Sequence, residues 1–186
     1  MSTVYTKLIP VKAEDREQIA GLSAFASQIV KEHFDPLIGP EQNDYMIARF
    51  QSVSAITDQI RSGYRYYVAE DEMGEMEGFL AFYPRDGKMY LSKFYVHGRA
   101  RGWGIARKMF DFVMEETRKE GLPSIFLNVN RGNESVIRIY EHLGFRKVRE
   151  EKNDIGNGFY MDDWVLECPA GVSSVKSQDR EKEEKK

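Results

Sequence analysis

Two glycines and four cations crowd into one short stretch of this chain: Arg99-Ala100-Arg101-Gly102-Trp103-Gly104-Ile105-Ala106, followed by Arg107 and Lys108. Ile105, Met109, Phe112 and Val113, with Ala106 and Phe110 beside them, recur at helical spacing as far as Gly121, a cap ahead of Pro123. The pattern predicts a helix that starts near Trp103. The first turn of a helix carries unpaired N–H groups and the positive end of the macrodipole, so acids stabilise it and Arg or Lys do not. Here the cations sit where acids belong. A bound phosphate would resolve the conflict: glycines let the backbone approach, the N–H groups hold the oxygens, and the cations add charge. Without a ligand, the same stretch is a glycine turn into a surface helix with solvated side chains.

Further along, Asn133 stands ahead of a helix whose Tyr140 shares a face with Val136 and Leu143, within Tyr140-Glu-His-Leu-Gly-Phe145. By spacing alone Tyr140 reads as a core tyrosine and Asn133 as an N-cap. His33, His97 and His142 lie far apart and match no ligand spacing, and Cys168 is the single cysteine, so no metal and no internal disulfide are expected. Gly102-Trp103-Gly104 lacks the third glycine of a dinucleotide fingerprint, and Arg107 stands in its place, which argues against a nicotinamide. A net charge of -3 and one tryptophan in the basic stretch argue against a nucleic-acid partner.

The elements that must position these residues can be read from period and punctuation. Residues 5–9 read as a strand and 13–34 as a helix with Ile19, Leu22, Phe25, Ala26 and Ile29 on one face, broken by Pro36 and Pro40. Residues 41–50 and 54–61 read as shorter helices. The period then changes to that of strands over 64–70, 78–83 and 88–96, an antiparallel meander turned at 71–75 and 84–87. After the Trp103 helix follow a strand 124–129, a helix 134–143, a strand 145–152 and a last hairpin into strand 159–167. This order predicts an α/β sandwich on a mixed sheet, with crossovers through both helices making the middle strands parallel. Residues 1–168 are expected to form one domain and the charge-rich 169–186 a disordered tail. Apolar runs are too short to cross a membrane and no signal peptide is visible, so the expected address is cytoplasmic.

Read together, Leu91-Ser-Lys-Phe-Tyr-Val96, Arg101-Gly-Trp-Gly-Ile-Ala106 and Asn133 with Tyr140-Glu-His-Leu-Gly-Phe145 resemble the GNAT superfamily of N-acetyltransferases. The family's Arg/Gln-x-x-Gly-x-Gly/Ala signature fits in two frames, 99–104 and 101–106. The resemblance covers residues 64–167 clearly and the N-terminal helices loosely. It implies the acyl-CoA N-acyltransferase fold and acetyl-CoA as co-substrate. Arg101, Gly102, Trp103, Gly104, Ile105, Ala106 and Arg107 would surround the pyrophosphate, with Trp103 flanking it. Phe94, Tyr95 and Val96 would offer main-chain groups to the pantetheine arm and the thioester carbonyl. Asn133 would bond the pantetheine, and Tyr140 would protonate the departing thiolate.

A CoA thiol that resembles cysteine has a pKa of about 8.5, so a nearby hydroxyl suffices to ease its departure, whereas an amine near ~10.4 must lose a proton before it attacks. Several family members carry a glutamate on the strand that here holds Ser92 and Lys93, which leaves the base open among Glu70, His97, His33 and Asp35. Residues 154–164 are similar to bacterial enzymes grouped with spermidine/spermine acetyltransferases. Asp154, Asp162, Asp163, Asp35, Glu41 and Asp44 could attract a polycation. The expected activity is direct acetyl transfer to an amine, such as a polyamine. The alternatives are a non-catalytic acyl-CoA-binding module, against which Tyr140 argues, and a protein N-terminal or lysine acetyltransferase. Acetyl-CoA and an amine are the expected partners, with neither nucleic acid nor membrane, and a homodimer stays open.

Overall fold

A computed structural model describes residues 6–171. The elements follow in the order β1 (Lys7–Pro10), α1 (Arg16–Ile38), α2 (Pro40–Phe50), α3 (Val53–Arg61), β2 (Arg65–Glu70), β3 (Met76–Arg85) and β4 (Lys88–Val96). A single 3-10 turn over Gly98–Ala100 leads to α4 (Ile105–Lys119), β5 (Ser124–Asn130), α5 (Glu134–Leu143), β6 (Arg146–Gly156) and β7 (Phe159–Pro169). The strands make a seven-stranded mixed sheet in the order β1-β2-β3-β4-β5-β7-β6, flanked by helices. The α/β mixed-sheet expectation therefore holds. Among the described residues no helix is long and apolar enough to cross a membrane.

Contacts divide the chain into two compact units. One gathers the chain up to Tyr83 with Leu91–Met109 and Ile155–Phe159, and the other gathers Pro84–Tyr90, Phe110–Asp154 and the chain from Tyr160. In the first, β1 and β2 pair antiparallel with Leu8 opposite Ala69, and β2 and β3 with Val68 opposite Phe79. The α1 stripe of Ile19, Leu22 and Ala26 packs with Ile56, Tyr66, Val68, Phe79 and Ala81, so the helical and strand periods meet in one core. In the second, β4 and β5 run parallel with Met89 opposite Ile125 and Tyr90 opposite Phe126, while β5 and β7 run antiparallel with Asn128 opposite Val165.

Three expectations are corrected. Pro36 does not end α1, which continues to Ile38, because a proline in the last turn deletes only one N–H and Gly39 still donates to the Asp35 carbonyl at 3.0 Å. The break falls at Gly39, whose φ of 87° no helix admits, and Pro40 opens α2. Of the two expected crossovers, α4 produces the parallel β4–β5 pair, but α5 delivers β6 to the sheet edge with β7 between it and β5. Finally, the core passes residue 168: Pro169 closes β7, and buried Ala170 donates its N–H to the Pro123 carbonyl at 2.9 Å. The rest of the expected tail, 172–186, lies outside the described residues.

Candidate functional site

The glycine stretch begins where β4 ends. His97 donates its backbone N–H to the Glu77 carbonyl at 2.7 Å, and its Nδ1 accepts from the Arg99 N–H at 3.1 Å, which starts the 3-10 turn. Gly102 and Gly104 then take φ of 84° and 79°. A Cβ on either would meet nothing within 4 Å, so the constraint is the left-handed backbone itself. Two such residues cannot be helical, and this is why α4 starts at Ile105 and not near Trp103. Its first turn closes with Lys108 N–H on the Gly104 carbonyl at 3.1 Å, while the Arg101 and Trp103 N–H groups ahead of it donate to the Gly98 and Ala100 carbonyls at 3.4 and 3.3 Å, so the N–H groups without an intrahelical acceptor are those that open α4 itself. That first turn contains no acid.

The four cations do not act alike. Arg99 turns away from the helix mouth: its Nε donates to Glu77 Oε2 at 2.9 Å, its Nη2 donates to the Met76 carbonyl at 3.2 Å, and Glu75 lies at 3.9 Å. Lys108 donates to the Thr6 carbonyl. Arg101 and Arg107 remain exposed at the start of α4, with Trp103 half-buried between them in sequence. Two of the four cations of the stretch, Arg99 and Lys108, are thus engaged with acceptors inside the protein. The Glu77 carboxylate and the Thr6 carbonyl just ahead of β1 were not visible as partners from local spacing.

Upstream on β4, Phe94, Tyr95 and Val96 are half-buried. The Tyr95 ring stacks on Phe79 at 5.1 Å and meets Phe34 edge-on at 6.5 Å. Lys93, expected only as the residue that displaces a carboxylate, is 6% exposed. Its Nζ donates to the Phe50 carbonyl at 2.6 Å, Gln51 Oε1 at 3.0 Å and Gln59 Oε1 at 3.1 Å, and it lies 5.1 Å from the Tyr66 ring. Phe50 ends α2, so the cation sits at the negative end of a helix. Burial nevertheless pushes the amine down to about 7.

Asn133 and Tyr140 belong to the second unit. Asn133 holds the N-cap position of α5, is 5% exposed, and makes no side-chain cap bond, so its amide is not spent on the helix. Tyr140 is 8% exposed and packs edge-on against Phe145 at 5.4 Å, while the Phe145 N–H donates to the Tyr140 carbonyl at 3.0 Å. In the same unit a polar row crosses the sheet that sequence reasoning missed: Tyr90 donates to Asn128 Oδ1 at 3.1 Å, and Asn128 Nδ2 lies 3.4 Å from both Glu151 and Asp163. Burial pushes the Asp163 carboxyl up to about 6, against the lowering effect of Asn128.

The base candidates separate by environment. Asp35 accepts from Asn43 at 2.8 Å and pairs with Lys31 at 3.0 Å; both hold its carboxyl below the usual range, which makes it a poor proton acceptor. His97 has Nδ1 committed to Arg99, leaving Nε2 to carry its proton, and its ring lies 5.9 Å from Phe25. His33 meets Phe34 edge-on at 4.7 Å. Glu70 ends β2, half-buried, beside a surface pocket of about 410 Å³ also lined by Lys7, Ile9 and Asp71. Among the acids nominated for a polycation, Asp35 and Asp44 share Lys31 and Asp162 lies 3.4 Å from Arg131, so the chain's own cations already answer them.

The model of the acetyltransferase (GNAT) family matches residues 26–145. An uncharacterised N-acetyltransferase of Escherichia coli strain K12, YjgM, is 33% identical over 90 residues, which cover 46% of this chain and 53% of that protein. The match thus spans about half the length of that relative. Among solved structures, the PaiA N-acetyltransferase of Thermoplasma acidophilum in complex with coenzyme A superposes with a TM-score of 0.71 at 16% identity, over 89% of this chain and 99% of that one. A chimeric spermidine N-acetyltransferase from Vibrio cholerae gives 0.60 at 18% identity, over 91% and 96%. At these identities the two structures establish the fold.

Proposed function

Because the chain belongs to the acetyltransferase (GNAT) family, we propose that it transfers the acetyl group of acetyl-CoA directly to the nitrogen of an amine. One observation carries the reading. Gly102 and Gly104, at φ of 84° and 79°, turn the chain into the N-terminus of α4, whose first-turn N–H groups have no intrahelical acceptor, with exposed Arg101 and Arg107 on either side in sequence. A diphosphate fits such a cradle by hydrogen bonds and charge, and both glycines leave open space where a Cβ would stand.

In this reading Arg101, Gly102, Trp103, Gly104, Ile105, Ala106 and Arg107 hold the coenzyme's pyrophosphate, and the main chain of Phe94, Tyr95 and Val96 orients the pantetheine and the thioester carbonyl. Asn133 supplies a side-chain bond to the pantetheine. The neutral amine attacks the carbonyl carbon, the tetrahedral adduct expels sulfur as the C–S bond breaks, and the Tyr140 hydroxyl protonates the thiolate. The proton lost by the amine leaves through water or through Glu70. Asp35 is set aside for its lowered pKa. The transfer uses no covalent enzyme intermediate, since Cys168 is buried at the end of β7 and no nucleophile motif stands near the loop in sequence.

A small amine, with polyamines as the first class to test, is the proposed acceptor; the likeness of residues 154–164 to spermidine/spermine enzymes supports it, and the commitment of Lys31 and Arg131 to nearby acids limits that support. The experiment is thiol release from acetyl-CoA across a panel of polyamines, amino sugars and N-terminal peptides. Release with one class assigns the acceptor. Tight CoA binding with no release for any class overturns the enzyme reading in favour of a coenzyme-binding module.

A further inference from the structure

Glu77 presents an arrangement that the sequence did not announce. It is 1% exposed, yet no lysine or arginine stands near it in sequence. Its carbonyl accepts the His97 N–H at 2.7 Å, and its carboxylate accepts Arg99 Nε at 2.9 Å. One residue of β3 therefore grips both sides of the joint between β4 and the 3-10 turn. Next to it, a Cβ on Gly78 would stand 2.7 Å from the Tyr95 carbonyl, so only glycine lets β3 lie this close to the end of β4. Asp71, Glu75 and Glu77 place their carboxylates within 4.8 Å of one another, and Arg99 is the cation among them.

We propose that the Glu77–Arg99 pair is a latch that positions residues 101–107 for the coenzyme, so that Arg99 acts on the anion through the backbone and not by touching it. The inference rests on the coenzyme reading given above. The planar guanidinium reaches a buried carboxylate and the Met76 carbonyl through two different nitrogens held in a fixed fork, a geometry that the single ammonium of a lysine does not reproduce. Held in this way, the Arg99 backbone fixes where the chain turns into Arg101 and Gly102. A looser joint would spread the loop over several arrangements, of which few offer their amides together, and apparent affinity falls with the competent fraction.

The sign of one substitution separates this from plain electrostatics. Glu77→Gln removes a negative charge from the neighbourhood of a polyanion site, so attraction alone predicts tighter coenzyme binding. The latch predicts the reverse. Coenzyme A binding is measured by calorimetry for the wild type, Glu77→Gln, Arg99→Lys and the double variant, with kcat and KM for acetyl-CoA beside it. The expected result is a Kd and a KM raised about fivefold to tenfold in each single variant, kcat within about twofold, and a double variant no worse than the weaker single, because one connection is broken in each. Arg99→Lys keeps a charge opposite Glu77 and so provides a folded variant if Glu77→Gln does not fold. A folded Glu77→Gln or Arg99→Lys with unchanged or tighter binding overturns the latch. Losses that add in the double variant also overturn it, since they would mean that Arg99 meets the coenzyme itself. Absence of coenzyme binding in the wild type instead overturns the functional reading.

Discussion

Lys93→Met tests the buried amine on β4, and the expected cost of the change depends on pH with a definite sign. Methionine keeps the length of the side chain and removes the amine. Of the three acceptors, Gln59 Oε1 keeps the Tyr66 hydroxyl at 2.5 Å and the Phe50 carbonyl keeps Gln59 Nε2 at 3.3 Å, whereas Gln51 Oε1 loses its donor. One orphaned buried acceptor costs about 1–3 kcal/mol. Against this stands what the wild type spends on burying a cation. The Lys93 pKa falls from 10.5 to about 7 on folding, so between those values the unfolded chain binds more protons than the native one. Stability then rises with pH through that window and is lowest below pH 7, where the native state must carry the buried ammonium. From pH 7 to pH 9 the wild type gains about 2 kcal/mol from this group. Methionine gains nothing.

The cost of Lys93→Met should therefore be near zero to about 2 kcal/mol at pH 7 and about 2 kcal/mol larger at pH 9. Urea unfolding of both proteins at the two pH values measures it, with other titrations cancelling in the difference. The groups that meet Lys93 are carbonyl and amide oxygens and the Tyr66 ring, whose own phenol burial pushes up, so no carboxylate among these contacts confuses the slope. A cost that stays constant between pH 7 and pH 9 would refute the reasoning. It would mean that the α2 C-terminus and the three oxygens outweigh desolvation and keep the proton in place.

Three further outcomes are expected. Tyr140→Phe should lower kcat by about 10²-fold with the acetyl-CoA KM little changed, read by steady-state thiol release, because the hydroxyl acts on the leaving group and not on the bound ground state; equal turnover removes Tyr140 from the chemistry. Gly104→Ala forces a side chain into a φ of 79° at a cost of about 1–2 kcal/mol, so coenzyme affinity should fall about tenfold as the turn relaxes, by calorimetry. Gly78→Ala should lower the melting temperature by several degrees, about 2 kcal/mol or more, since its Cβ would stand 2.7 Å from a backbone oxygen that has no side-chain freedom to yield; an unchanged melting temperature would show that β3 and β4 separate freely.

Signals that are local in the chain were legible and signals that depend on a distant partner were not. The period of 134–143 gave α5 to the residue, and the run at 88–96 gave β4, because each repeats one pattern between clear breaks. The Asp86-Gly87 and Asn157-Gly158 turns, all with positive φ, are readable from dipeptides that tolerate it, though the second hairpin runs four residues further into β6 than its composition suggested. Pro36 misled because a proline's effect depends on how many helical bonds still lie beyond it. Lys93 was read as a missing carboxylate, while its partners come from α2, the α2–α3 turn and α3, 34 to 43 residues away. The order of β7 and β6 likewise follows from which edge each can cover, not from any residue within them.

The same distinction bears on the role proposed for the glycine stretch. Counted along the sequence, four cations at a helix start suggest a site built on charge. Two of them are turned to Glu77 and to the Thr6 carbonyl, and exposed arginines such as Arg101 each contribute little against screening water, about 1 kcal/mol or less at a surface. Backbone amides in the proposed cradle would not suffer that loss: the chain there is fixed by φ values that only glycine adopts without strain, and an anion would meet the amides already oriented. The cation count overstates the charge, and the glycine spacing understates how much structure is spent on holding it. Arg99 and Lys108 belong with Gly102 and Gly104 as parts of the frame. In the proposed coenzyme cradle, specificity for an anion would lie in the geometry of the loop, and its side chains would set mainly how fast and at what salt concentration the anion arrives.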